Sequence, residues 1–146
     1  MLKKLVLQSN SIKDEGAVAI GKSLKTNSTL EELDLSDNDI GPEGGKAIGV
    51  GLQAGIAVLK KLSLEDCKLD DDGAVAIGES LKVNKSLEDL NLNYCGIGAR
   101  GGKAIGEALQ LGIAVLTNLN LRNNDIGTAG AIAIADVLKS GMAVER

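Results

Sequence analysis

The sequence returns to one pattern every 28 or 29 residues. Leu2, Leu30, Leu59, Leu87 and Leu116 each open a unit, in steps of 28, 29, 28 and 29. Each unit reads L-x-x-L-x-L-x-x-(N/C)-x-(I/L), followed by a glycine, an Ala-Ile pair and a further leucine. A unit this short cannot enclose a core of its own. It must lie against its neighbours so that each covers the next one's apolar layer. A globule with one centre is thereby excluded, and an open stack is expected.

The units run over 2–29, 30–58, 59–86, 87–115 and 116–146, and together form a single domain, 1–146. They alternate in sequence as well as in length. The first and third agree at 16 of 28 positions, the second and fourth at 18 of 29. The larger unit is therefore a pair, present twice, with one additional repeat. Composition fits thin aliphatic layers: there is no Phe, no Trp and one Tyr among 146 residues. The 19 glycines recur at fixed places in the repeat, which disordered composition would not produce.

Each unit predicts a short strand and then a helix. In the second, Leu33 and Leu35 share one face while Glu32, Asp34 and Ser36 share the other, a period of two. Pro42 suits the first helical turn. Gly44, Ala47, Ile48 and Leu52 then fall on one helical face. Strand, helix and parallel strand in succession give a parallel sheet on the inside of an arc. Helices are wider than strands, so the stack must curve. The fold class is α/β: a curved right-handed solenoid, a partial horseshoe, with five parallel strands on the concave face and helices on the convex one.

The ninth position of the repeat holds Asn10, Asn38, Cys67, Cys95 and Asn124. An asparagine there can donate to and accept from backbone groups at the turn, contributing on the order of 1 kcal/mol per rung. Cysteine hydrogen-bonds only weakly, so the turns at Cys67 and Cys95 are expected to be the less well satisfied. Adjacent rungs lie about 4.8 Å apart with parallel Cβ directions, which suits a disulfide poorly. Two thiols without histidine fall short of a zinc site. Buried free thiols point to a reducing, cytoplasmic setting.

With repeats of alternating 28 and 29 residues, the segment from Leu30 to Ile40 and its counterpart from Leu87 to Ile97 resemble the ribonuclease-inhibitor class of leucine-rich repeats. The resemblance covers the whole chain, but the matching residues are those that build the scaffold. It implies partner binding, largely through the concave face and its rims. Two features depart from that class: five repeats are few, and neither end shows a capping segment. Leu5-Val6-Leu7 would leave an apolar edge. A fragment of a longer array, or an engineered or recently duplicated one, and self-association through uncapped ends, are the corresponding expectations.

The outward strand and turn positions are where partner choice would be encoded. The candidate residues are Glu32, Asp34, Asp37, Lys61, Glu65, Asp66, Asp89, Asn91, Asn93, Tyr94, Asn120 and Arg122. Repeats two to four place six acids there against the single base Lys61, while Lys4 and Arg122 stand at the two ends. This predicts an acidic middle that would draw a basic protein; the alternative is a charged face that only keeps the molecule soluble. Tyr94 fits either a contact residue or a cover for its turn. The net charge of −4 argues against nucleic acid and anionic membrane as partners.

No cofactor, metal or catalytic role is expected. The chain has no histidine. Its acidic pairs lie on an open face, where nothing desolvates them into a catalytic range. Asp70-Asp71-Asp72 lacks a calcium-binding loop and stands where a helix should start. The leading expectation is a non-catalytic protein-binding module. The alternatives are a structural or engineered scaffold without a native partner, and a GTPase-activating fragment similar to the Ran activator.

Overall fold

The computed structural model describes residues 1–54 and 56–144, with side chains through residue 139. The strands are β1 (Lys4–Val6), β2 (Glu32–Asp34), β3 (Lys61–Ser63), β4 (Asp89–Asn91) and β5 (Asn118–Asn120). The helices that follow them are α1 (Lys13–Leu24), α2 (Pro42–Leu52), α3 (Asp70–Leu81), α4 (Ala99–Gln110) and α5 (Gly127–Val144). The strands form one parallel sheet in chain order. Equivalent residues pair throughout: Leu5, Leu33, Leu62, Leu90 and Leu119 form one line across it. Each helix packs on the next, as a solenoid requires.

The alternation in each strand sends leucines inward. Leu33, Leu62 and Leu90 are 2 % exposed or less, and Leu35, Leu64 and Leu92 lie fully buried behind the turns. Ile48, Ile77 and Ile105 close the layer from the helices. Leu5 and Leu119, in the outer repeats, are only partly buried because one flank lacks the covering layer.

Small residues set the spacing between helices. A Cβ placed on Gly21 would lie 2.3 Å from the carbonyl oxygen of Ala47, and one on Gly49 would lie 2.8 Å from that of Ala76. Neighbouring helices therefore touch backbone to backbone. The convex lysines face solvent, and Lys46 and Lys103 pair with Glu43 and Glu107 on their own helices.

The two kinds of repeat start their helices differently. Lys13 and Asp70 open α1 and α3 in the left-handed region, at φ 60° and 53°. Gly41 and Gly98 precede α2 and α4 in extended backbone, with no cap from their own repeat. The cap comes from the preceding one. Asp14 Oδ1 accepts from the Gly41 and Gly44 amides at 2.7 and 2.8 Å. Asp71 Oδ1 does the same for Gly98 and Gly101 at 2.8 and 2.9 Å. A carboxylate at a helix N-terminus meets both orphan amides and the helix dipole. The Asp70-Asp71-Asp72 run thus opens one helix and caps the next, while Asp72 pairs with Arg100.

The turn ladder is uneven. Asn38 Nδ2 reaches the carbonyls of Leu7, Leu35 and Ser36 at 2.9–3.0 Å. Its Oδ1 takes the amides of Asn10 and Ile12 from the repeat before. Cys67 Sγ reaches the Leu35 carbonyl at 3.5 Å and meets the Asn38 and Ile40 amides as a weak acceptor, and Cys95 Sγ reaches the Leu64 and Asn93 carbonyls at 3.1 and 3.6 Å. Both thiols are free and buried. Burial pushes both up, Cys95 to about 12, so each stays protonated and unreactive near neutrality.

Candidate protein-interaction surface

The in-register strands array their outward side chains in rows across the repeats. The first row reads Lys4, Glu32, Lys61, Asp89 and Asn118; the second reads Val6, Asp34, Ser63, Asn91 and Asn120. Gln8, Ser36, Glu65, Asn93 and Arg122 continue past the strand ends, and the turn residues Ser9, Asp37, Asp66, Tyr94 and Asn123 complete the rim. A trough of about 370 Å³ lies over the first three rows, bounded by Lys4, Glu32, Lys61, Glu65 and Asp89.

Most of the acids in this surface are engaged within it. Glu32 stands between Lys4 and Lys61, at 3.6 and 4.0 Å. The first row therefore alternates in sign along its charged residues, where the composition of the repeats suggested an acidic middle. Asp34 accepts from the Ser36 amide and hydroxyl at 2.9 and 2.6 Å, and the Ser36 and Ser63 hydroxyls lie 2.7 Å apart. These contacts leave Ser36 5 % exposed, so it is not the free outward group that period-two reading assigns. Glu65 accepts from Asn91 and Asn93 at 2.9 and 3.0 Å. Asp37 accepts from Ser9 at 2.8 Å.

The strands are three residues long, so Asp37, Asp66 and Tyr94 sit beyond the sheet floor, on the rim. Asn120 Oδ1 accepts from the Arg122 amide at 3.0 Å. Of the twelve candidate residues, four have no side-chain bond of their own among the described residues: Asp66, Asp89, Tyr94 and Arg122. Sequence reasoning singled out all four, but could not separate them from the acids held in place. Only the cross-repeat register makes that distinction. Among the described residues, no group of three or more His, Cys, Asp or Glu could hold a metal ion.

The repeat geometry has a known counterpart. The pattern of the Leucine Rich repeat family matches residues 1–21, 26–49, 57–78, 83–106 and 114–135. The chain belongs to the leucine-rich repeat family. Within it the chain is ribonuclease-inhibitor-like: it is 29 % identical to porcine ribonuclease inhibitor over 108 residues, 74 % of this chain and 24 % of that protein. It is also 32 % identical to mouse NACHT, LRR and PYD domains-containing protein 12 over 91 residues, 62 % of this chain and 9 % of that one. These leucine-rich repeats thus span about a quarter or less of those relatives.

Two solved structures share the fold. The tropomodulin C-terminal domain of Caenorhabditis elegans superposes with a TM-score of 0.77 at 12 % identity, covering 99 % of this chain and 87 % of that one. A leiomodin-1 structure of actin-binding site 2 gives 0.77 at 18 %, covering 99 % and 83 %.

Proposed function

We propose that these repeats form a non-catalytic protein-binding module that docks a folded partner through the concave sheet face and its rim. The observation that carries the reading is the surface itself: most of the polar side chains in its rows are held by internal bonds before any partner arrives. A pre-ordered face loses little side-chain freedom on binding, which leaves more of the contact energy as affinity. Relatives whose names describe an inhibitor of ribonuclease and an actin-binding site support a protein as the kind of partner. The unengaged carboxylates of Asp66 and Asp89 favour a basic surface on it. The reading treats residues 1–146 as one domain, checked by a single cooperative unfolding transition. It places that domain in the cytoplasm, where Cys67 and Cys95 stay reduced, checked by fractionation of host cells.

Photo-crosslinking tests the docking face. A crosslinker at Asn91 should trap a discrete partner, and one at Lys46 on the convex side should not. Equal trapping from both faces, or from neither, would end the proposal.

The end faces favour self-association as a second reading. A cavity of about 210 Å³ at the first repeat is lined by Leu2, Leu5, Ile20, Leu24, Leu30 and Leu33. Leu116 and Leu119 are partly buried at the other end. The bonding groups are complementary as well. Asn10 presents the acceptor that Asn38 and Asn124 use between repeats, and Asn124 and Ile126 present amides of the matching kind. A second copy stacked head to tail is the occupant that fits. Leu5→Lys and Leu119→Lys should each be monomeric in sedimentation, and their mixture should give a dimer. A wild-type mass that does not change with concentration removes this reading.

A further inference from the structure

The eighth residue of every repeat lies in the left-handed region. Ser9, Asp37, Asp66, Tyr94 and Asn123 have φ of 61°, 54°, 56°, 55° and 57°. Asp and Asn tolerate this conformation because a short polar side chain can bond locally; a bulky tyrosine does not share that advantage. Tyr94 nevertheless occupies it, is 62 % exposed, and makes no side-chain hydrogen bond among the described residues. The fold gains little from the ring and bears a strained backbone for it. Strain that local structure does not offset points to a contact made outside the chain.

The surroundings say which contact. The Asp66 amide donates to the Asn93 carbonyl and the Tyr94 amide to the Arg122 carbonyl, both at 2.9 Å, so Asp66 and Tyr94 occupy adjacent rungs of one ladder. Asp66 is exposed and its carboxylate has no partner among the described residues. Asp37 adds a second carboxylate one rung further on. An aromatic ring beside a free carboxylate attracts a cation twice, through the ring quadrupole and through charge. Arg122, on the far side of Tyr94, repels one, so the cation must approach from the Asp66 side.

We propose that Tyr94 and Asp66 together take a cationic side chain of the protein partner, arginine before lysine, and that this contact anchors the docking surface. Arginine is preferred because its planar guanidinium stacks on the ring while its N–H groups meet the carboxylate. The inference rests on the reading that this face binds a protein.

Nona-arginine serves as the probe, with nona-serine as control. Tyr94 is the only aromatic residue in the chain, so tyrosine emission reports this site alone. Emission should change saturably with nona-arginine and not with nona-serine. Calorimetry then reads the variants. Tyr94→Asn should bind the probe roughly three- to tenfold more weakly, yet melt at a higher temperature, because asparagine suits the left-handed turn. A merely structural tyrosine would move the melting temperature the other way. Tyr94→Phe should keep the affinity, Asp66→Asn should lower it, and Arg122→Gln should raise it. Tyr94→Asn binding like wild type, while Asp89→Lys weakens binding, would overturn the anchor and leave the docking face standing. No binding of the probe by the wild type would overturn both the anchor and the charge-based reading of the partner.

Discussion

The turn at Asn38 and the turn at Cys67 occupy the same place in adjacent repeats and are equally inaccessible to solvent. They are held by different means. Asn38 takes two amides from the repeat before it and reaches three carbonyls. Cys67 reaches one carbonyl, at 3.5 Å, and meets the equivalent amides of Asn38 and Ile40 with a sulfur, a weaker acceptor than an amide oxygen. The position makes two demands: a small buried volume must be filled, and the groups of a tight turn must be bonded. Asparagine meets both, and cysteine meets the first and little of the second. The asparagine rungs are therefore tied by the stronger polar bonds. The two cysteine rungs rely more on burial.

Removing the amide should show the contrast at its largest. Asn38→Ala leaves the Asn10 amide without a partner and the Leu35 carbonyl with only the weak Cys67 thiol, at a cost of about 3 kcal/mol. Cys67→Ala should cost about 1 kcal/mol. Equal losses in urea unfolding would break the distinction. The second cross-repeat device, the aspartate cap, predicts a smaller effect. Asp71→Ala should cost about 1.5 kcal/mol and increase hydrogen exchange at Gly98 and Gly101, with Gly41 and Gly44 unaffected because Asp14 holds them. Uniform exchange across both helix starts would refute the assignment. Smaller again is the converse swap, Cys67→Asn, which should add about 1 kcal/mol by supplying acceptor and donor where the thiol has neither in strength. A loss there would show that volume, not bonding, decides the central rungs.

The leucine period made the inner half of the molecule legible. Leu33, Leu62 and Leu90 fall where alternation puts them, because burial repeats faithfully with the sequence. Pro42 at the first turn of α2 was readable for a local reason, its missing amide. What could not be read depends on the partner 27 to 31 residues away. Asp14 and Asp71 look like ordinary acids at helix starts, yet each caps a helix in the next repeat. Glu32 and Glu65 are held by Lys4 and Lys61, and by Asn91 and Asn93, which only the register of neighbouring repeats brings beside them. Ser36 counted as outward until Ser63 closed against it. The strain at Tyr94 was hidden because its left-handed backbone is imposed by the turn, whatever residue stands there.

Alkaline titration probes the same contrast with the smallest effect near neutrality. Burial holds the Cys95 thiol at about 12 in the folded chain, against about 8.5 for a thiol in an unfolded one. Below the lower value both states keep the proton, and this group gives stability no slope with pH. Between the two values the unfolded chain releases the proton and the folded chain holds it. Stability must then fall as pH rises, by at most about 1.4 kcal/mol per pH unit from this thiol. Every other group is common to the two proteins, so the quantity to measure is the difference between wild type and Cys95→Ala in urea unfolding from pH 7 to 10.5. That difference should be constant up to about pH 8.5 and then shrink. If it stays constant throughout, the thiol ionises as readily in the fold as outside it. The central rungs would then be open to water, and burial could not be what holds them.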